Sequence, residues 1–355
     1  MSTTETISPT SPPPAAATSA AVPPPPARPT PPAVETRSLT KKFGALTALD
    51  SLDLTLEPGD VFGFIGPNGA GKSTTMKILA GLLEPTSGGA FVMGRQVAAN
   101  GDFVRRNVGY MPDFFGGYED LTVAEYLEFF ASAYGVPRKH RKKVVGYVLE
   151  LTELKYKQDA LTDSLSRGMT QRLSLARVLV HDPPVLLLDE PASGLDPRAR
   201  IEIRELLRQL QKMGKTILVS SHILSELGEF CNKLGIIERG KLIVAGTVPE
   251  LMQRAHAHPV ISVHVLGDPA AAISLLRADP RIHEVVPAPP HNHTPQPTSL
   301  HGQPTELLVT LRDPTLHHQF LIETLVQHNI PLHSIAPHQL KLEDVFLTLT
   351  EGIVQ

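Results

Sequence analysis

Tryptophan is absent from this chain of 355 residues, and cysteine occurs once, at Cys231. A single cysteine excludes an intrachain disulfide framework and suits a reducing compartment. An excess of one charge is lacking too: 33 Lys and Arg against 36 Asp and Glu leave a formal net charge of −3. So even a balance offers no broad basic field for nucleic acid. Long hydrophobic runs are also missing. Stretches such as Val185-Leu186-Leu187-Leu188 fall far short of the about 20 residues that a membrane-spanning helix needs. The chain is therefore not expected to cross a bilayer by itself.

The length suggests about two domains. Residues 1–33 are rich in Pro, Ala, Ser and Thr, including Pro23-Pro24-Pro25-Pro26. That composition cannot bury enough apolar surface to fold, so a disordered tail of polyproline character is expected. A solvated tail accounts for it more simply than a docking segment for a Pro-recognising partner. No Lys or Arg precedes the small-residue patch at 15–22, so no secretory signal is expected.

The most specific motif is Gly66-Pro67-Asn68-Gly69-Ala70-Gly71-Lys72-Ser73-Thr74. It fits G-x-x-x-x-G-K-[ST], follows the apolar run Val61-Phe62-Gly63-Phe64-Ile65, and opens into a helical pattern from Thr75 to Ala80. Strand, glycine-rich loop and helix are the context a phosphate-binding loop requires. Glycines let backbone N–H groups curl around phosphate oxygens, and the helix N-terminus adds partial positive charge. Lys72 can reach the β- and γ-phosphates, and the Ser73 hydroxyl can ligate Mg²⁺.

From residue 34 to about 246, short apolar strands alternate with helical stretches. Residues 61–65, 185–188 and 216–219 read as strands buried on both faces, as in a mainly parallel sheet under helices. Helical spacing between about 122 and 160 marks an insertion into this α/β core. Beyond residue 246 the pattern becomes β-α-β-β-α-β, over 260–266, 270–277, 283–286, 306–311, 316–328 and 332–335, which is the ferredoxin-like order. A Pro- and His-rich loop at about 287–304 interrupts it. Its His291, His293 and His301 lack a Cys or carboxylate to complete a ligand set, so a surface insertion is the better reading than a metal site.

Further motifs lie downstream. Pro184-Val185-Leu186-Leu187-Leu188-Asp189-Glu190-Pro191 is a buried strand ending in two carboxylates. It delivers Asp189 to the sheet edge beside the phosphate loop, where it can hold Mg²⁺ directly or through water. Glu190 can take the proton from an attacking water. Before it, Leu165-Ser166-Arg167-Gly168-Met169-Thr170-Gln171-Arg172 leads to a helix over 173–180 and offers a second N-terminal anion site. After it come Ser193-Gly194-Leu195-Asp196 and a strand ending in Ser220-Ser221-His222, whose histidine can approach a γ-phosphate.

In this order and spacing, the motifs resemble those of an ABC-transporter ATP-binding subunit, closest to the exporter type whose permease is a separate polypeptide. The resemblance covers residues 36 to 251. It implies a P-loop α/β fold of ABC type, with a mainly parallel core, an antiparallel β subdomain and a helical insertion at about 114–160. Residues 34–251 would form that ATP-binding domain, and residues 255–355 a small α+β accessory domain. The latter's ending, Leu342-Glu343-Asp344-Val345-Phe346-Leu347, resembles the terminal segment of such accessory domains.

The resemblance also implies roles. Phe43 corresponds to the aromatic that stacks on adenine, with a core phenylalanine as the competing reading. Ser166 and Gly168 correspond to residues contacting the γ-phosphate held by a second copy. Asp196 would tie the two sites together, and His222 would be the switch histidine. ATP and Mg²⁺ are the implied ligands. A second ATP-binding subunit and a membrane permease are the implied partners, and the cytoplasmic face of the plasma membrane is the implied location. The competing class is a soluble ABC-type ATPase with a regulatory role.

Two positions depart from the family pattern. Asp113 follows Gly109-Tyr110-Met111-Pro112 where Gln is usual. Either it sees Mg²⁺ or its water shell, or the loop is only a mechanical link to the insertion. Arg167 stands where Gly is usual. Either it acts as a cation in trans, or, the favoured reading, it faces solvent or a neighbouring acid. Phe114-Phe115-Gly116-Gly117-Tyr118 fits both a partner-contact patch and packing against the insertion.

Overall fold

The computed structural model describes residues 30–338 except 115, 117, 119, 256–259, 289–303 and 314–315. Most of the expected tail, most of the Pro/His-rich loop, Phe115, Gly117 and the Leu342–Leu347 segment lie outside the described residues.

The chain opens with two long strands, β1 (Val34–Phe43) and β2 (Leu46–Leu56), and a short one, β3 (Val61–Ile65). Helix α1 (Lys72–Leu79) follows, then β4 (Ser87–Val92), β5 (Arg95–Gln96), α2 (Gly101–Asn107) and β6 (Val108–Met111). The insertion contributes α3 (Val123–Ala133) and α4 (Arg138–Leu151). The core resumes with α5 (Arg167–Leu179), β7 (Val185–Leu188), α6 (Pro197–Lys212), β8 (Thr216–Ser221), α7 (Leu224–Gly228), β9 (Lys233–Glu238), β10 (Lys241–Thr247) and α8 (Val248–Ala255).

Two sheets build this part of the chain. One is antiparallel, in the order β2-β1-β4-β5. Ala33, assigned to the tail on sequence, already donates its N–H to Leu56 O at 2.8 Å and is buried. The other sheet runs β10-β9-β3-β8-β7-β6, parallel from β9 to β6 with β10 as an antiparallel edge. Alternation within β7 divides its four leucine and valine side chains between two cores. Leu186 and Leu188 join a cluster with Tyr126, Leu149 and Val219. Val185 and Leu187 join Phe62, Phe64, Met76 and Leu52 between the two sheets. Each such fully buried side chain contributes roughly 1.5–3 kcal/mol.

The parallel register sets the site. Ile65 pairs with Ser221, Leu188 with Val219, and Met111 with Leu188. The four strands therefore finish within two residues of one another along one edge. Every segment that leaves them there, starting at Gly66, Pro112, Asp189 and His222, emerges on the same side.

Some element starts differ from the sequence reading. Helix α5, called the signature helix because Ser166 and Gly168 stand at its start, begins at Arg167, not at 173. Ser166 caps it, accepting a hydrogen bond from Met169 N at 3.4 Å. Gly168 reads as a breaker in sequence, yet the cap compensates for it.

The C-terminal part has β11 (Val260–Val265), α9 (Pro269–Arg277), β12 (Ile282–Pro287), β13 (Thr305–Leu311), α10 (Gln319–Gln327) and β14 (Leu332–Pro337). These strands form an antiparallel sheet, β12-β13-β11-β14. Val263, Leu307 and Val309 pack with Leu276, Leu321 and Leu325 in a core of their own.

Candidate functional site

The phosphate loop is held from two sides. Gly71 has φ 112°, a conformation that favours glycine. A Cβ there would meet the Leu49 side chain and the Ala48 carbonyl, so β2 backs the loop closely. From the other side, Gly240 N donates to Ala70 O at 2.9 Å. Asn68, Gly69 and Ser73 are exposed, Pro67 and Thr74 half-buried, and Gly66 and Ala70 buried. α1 has no acidic residue in its first turn and no side-chain cap. Its start therefore presents N–H groups and positive potential to an anion.

Lys72 is buried. Its ammonium donates to Gly66 O at 2.6 Å and Pro67 O at 3.2 Å, and lies 3.6 Å from Glu190 Oε1. Burial pulls this ammonium below its usual pKa, against the opposing pull of Glu190 and Asp189.

Strand β7 ends one residue before Asp189, which is only 2% exposed. Its N–H donates to Met111 O at 2.9 Å, and its Oδ1 accepts from Ser220 Oγ at 2.7 Å. Ser220 Oγ in turn accepts from Glu190 N at 2.9 Å. One hydroxyl on β8 thus fixes both acidic residues. Glu190 itself has φ 51°, in the left-handed region. Such a backbone costs about 1–3 kcal/mol and persists only where its surroundings hold it. Its Oε2 lies 2.9 Å from His222 Nδ1. Its Oε1 is buried and has no hydrogen-bond partner among the described residues. A buried carboxylate oxygen left so is an acceptor for a donor from outside the chain.

Asp113 is exposed at the rim of this cluster. Partial burial pushes its carboxyl pKa up, and Asp189 and Glu190 push it the same way, while Arg167 and His222 oppose. Neighbouring Tyr110 is pushed up to about 12, first by burial and then by Asp189 and Asp113. Phe43 is 48% exposed, with Lys41 Nζ 5.0 Å from its ring centroid, so the core-phenylalanine reading does not hold.

Ser166, Gly168 and Asp196 line a separate cavity of about 850 Å³, with Arg167, Gly194 and Tyr156. Asp196 caps α6, accepting from Ala199 N at 2.9 Å, with Pro197 at the first helical position. Arg167 is exposed, and its guanidinium lies across Gly194, whose φ of 66° carries no Cβ into its path. Among the described residues, no hydrogen bond or ion pair joins Ser166, Arg167, Gly168 or Asp196 to Lys72, Asp189, Glu190 or His222. Sequence reasoning did not assign a role to Ser220 or connect Arg167 with Gly194. Only the adjacency of Ser220 to His222 hinted at the former.

Phe114 is 81% exposed, whereas Tyr118 packs edge-on against Phe129 with ring centroids 5.5 Å apart. The two aromatics thus divide between the contact and packing readings.

A parallel sheet with a glycine-rich loop, a strand-end Asp and Glu, and a strand-end His at one edge defines a P-loop nucleotide-binding fold. Over residues 49–193 the sequence matches the ABC transporter family. It is 36% identical over 324 residues to the Nod factor export ATP-binding protein I of Ralstonia nicotianae, covering 90% of this chain and 94% of that one. It is 41% identical over 218 residues to the probable multidrug ABC transporter ATP-binding protein YbhF of Escherichia coli. That match covers 61% of this chain but spans only 38% of the longer relative. A solved ATP-binding subunit of an ABC transporter superposes with TM-score 0.57 at 30% identity, over 62% of this chain and 92% of that one. A dimeric ATP-binding cassette in a post-hydrolysis state, bound to ADP and Pi, superposes with TM-score 0.56 at 26% identity, over 61% and 98%. The chain belongs to the ABC transporter ATP-binding proteins.

Proposed function

We propose that the chain binds and hydrolyses ATP as a dimer and couples that cycle to a separate membrane permease, in the direction of export. One observation carries the hydrolytic reading. His222 holds Glu190 through Oε2, and the buried Oε1, which faces the Lys72 ammonium at 3.6 Å without a hydrogen bond, is the oxygen placed to accept a proton. Phe43 stacks on the adenine. The loop from Gly66 to Thr74 wraps the phosphates, and Lys72 turns from the loop carbonyls to the β- and γ-oxygens. Glu190 takes the proton of the attacking water, and His222 holds Glu190 and contacts the γ-phosphate.

The donor set suits a hard cation that arrives with the nucleotide. Ser73 and Asp189 supply oxygens, and no group of three or more His, Cys, Asp or Glu forms a metal cage among the described residues. Mg²⁺ held by Ser73 and Asp189, with Asp113 close by, would neutralise charge on the phosphates.

Ser166 and Gly168 contact the γ-phosphate on a second copy, and Asp196 links the two sites. The separation of their cavity from the Lys72 cluster supports this reading, as does the dimeric state named for one structural neighbour. ATP bridging the two halves then favours the closed dimer, and loss of the γ-phosphate releases it. The names of relatives, for Nod factor export and multidrug transport, support export. Among the described residues no helix is long and apolar enough to cross a membrane, so the chain would sit at the cytoplasmic face through its permease. The C-terminal sheet serves dimer contact or regulation. Purification of the tagged full chain from native membranes tests the coupling. An integral membrane protein should accompany it in stoichiometric amount, and a chain that elutes alone with full ATPase activity would support the soluble regulatory class instead.

A further inference from the structure

Net charge hides one strongly basic surface. Helix α4 begins Arg138-Lys139-His140-Arg141-Lys142-Lys143. Helix physics opposes this arrangement. The N-terminal end of a helix carries partial positive charge and favours Asp or Glu, yet α4 has no acidic residue in its first turn and no side-chain cap. Like charges four residues apart, Arg138 with Lys142 and Lys139 with Lys143, add repulsion. Arg138, Lys139, Lys142 and Lys143 are all exposed. None of these four side chains has a hydrogen-bond or ion-pair partner among the described residues, whereas Arg141 folds back onto Val136 O at 2.9 Å.

The surroundings enlarge the patch. The short turn Lys155–Lys157 packs beside α4, with the Lys155 ammonium close to Gly146. Tyr156 in that turn is 70% exposed, and Tyr147, one turn along α4 from Lys143, is 52% exposed. Further along, α4 is anchored through buried Val145, Val148 and Leu149. A rigid helix thus presents four unpaired cations flanked by amphipathic aromatics. A local arrangement that costs stability without an internal return points to a partner outside the chain.

We infer that this face of α4 docks on anionic phospholipid headgroups. Clustered Lys and Arg on one helix face match the negative potential of such a surface, and exposed tyrosines suit its interfacial layer. Nucleic acid is the less favoured partner, because the proposed function places the chain beside a bilayer and the basic patch is confined to the start of one helix and its neighbouring turn. The inference uses the proposed function only in placing the chain near a bilayer.

The test is co-sedimentation of the full chain, without permease, with vesicles of phosphatidylcholine alone or mixed with phosphatidylglycerol. Binding should require the anionic lipid and weaken with salt. The triple variant Lys139→Glu, Lys142→Glu, Lys143→Glu should bind such vesicles more than roughly 10²-fold more weakly, since it loses three attractions and adds three repulsions. It should also hydrolyse ATP at the parental rate and melt at a higher temperature, since the helix start is relieved. A milder variant with Gln at the same three positions should lose binding without reversing charge. Equal binding to both vesicle types, undiminished binding by either variant, or a lower melting temperature of the Glu variant would overturn the inference. Tighter retention by single-stranded RNA or duplex DNA than by anionic vesicles would also overturn it. ATPase activity and permease co-purification are separate readouts, so loss of lipid binding leaves the proposed function standing.

Discussion

The loop edge of the parallel sheet and the signature cavity are both built from strand and helix ends, but they differ in closure. At the loop edge, Lys72, Asp189, Glu190, Ser220 and His222 form one connected set of hydrogen bonds and ion pairs. In the signature cavity, Ser166 and Asp196 spend their side chains on capping their own helices, and Arg167 lies on Gly194. The first region holds its lysine, carboxylates and histidine in one bonded set. The second is a stiff, capped surface that needs something opposite it. A half-site that is finished and one that is merely shaped are what a sandwiched substrate would require.

The strongest break in that contrast is Glu190→Gln. It removes the proposed base while keeping the side chain's shape, so phosphate release should fall by roughly 10²–10⁴. ATP should still bind and hold two chains together, as size-exclusion chromatography with ATP would show. A monomer under those conditions would mean that the signature cavity does not complete the site. Next in size is Ser220→Ala, which strips Asp189 of its donor and Glu190 N of its acceptor. Stability should drop by about 1–3 kcal/mol, seen in denaturant unfolding, and turnover should fall with it.

On the signature side, Gly194→Ala should cost about 1–2 kcal/mol from the left-handed backbone and displace Arg167. Adding Arg167→Ala should recover part of the loss, and a double-mutant cycle measures the coupling. Purely additive effects would show that the Arg167–Gly194 contact carries no energy. The smallest effect is expected from Asp113→Asn. A carboxyl whose folded pKa lies above its ordinary 3.8 contributes stability at acid pH that is lost as pH rises through the folded value. The Asn variant should therefore be slightly more stable near neutrality, and the gap should close as pH falls toward that ordinary value. Thermal melts across that range would reveal a wrong sign.

Much of the loop edge was legible in sequence, because its chemistry is local. The glycine spacing around Lys72, the apolar run before Asp189 and the strand before His222 each announce strand and loop within ten residues. What stayed hidden depends on contacts across the chain. Ser220 meets Asp189 across 31 positions, a pairing fixed only by the register of β7 with β8. The left-handed turn at Glu190 has no residue signal at all, since glutamate does not favour it. The start of α5 lies earlier than its sequence suggests, because Gly168 mimics a loop and the cap at Ser166 outweighs it. The basic start of α4 leaves no trace in a net charge near zero, which averages it away.

Strand β3, which launches the phosphate loop, lies between β8 and β9, and Ile65 is paired with Ser221 and Ile236. The loop is encoded near the beginning of the chain yet is framed by residues made some 170 positions later. A ribosome that has released only the first two hundred residues has written the whole motif and none of those two neighbouring strands. The framing of the loop is thereby completed only once translation has passed β9, and the emerging chain must keep the apolar Val61–Ile65 from wrong partners during that interval.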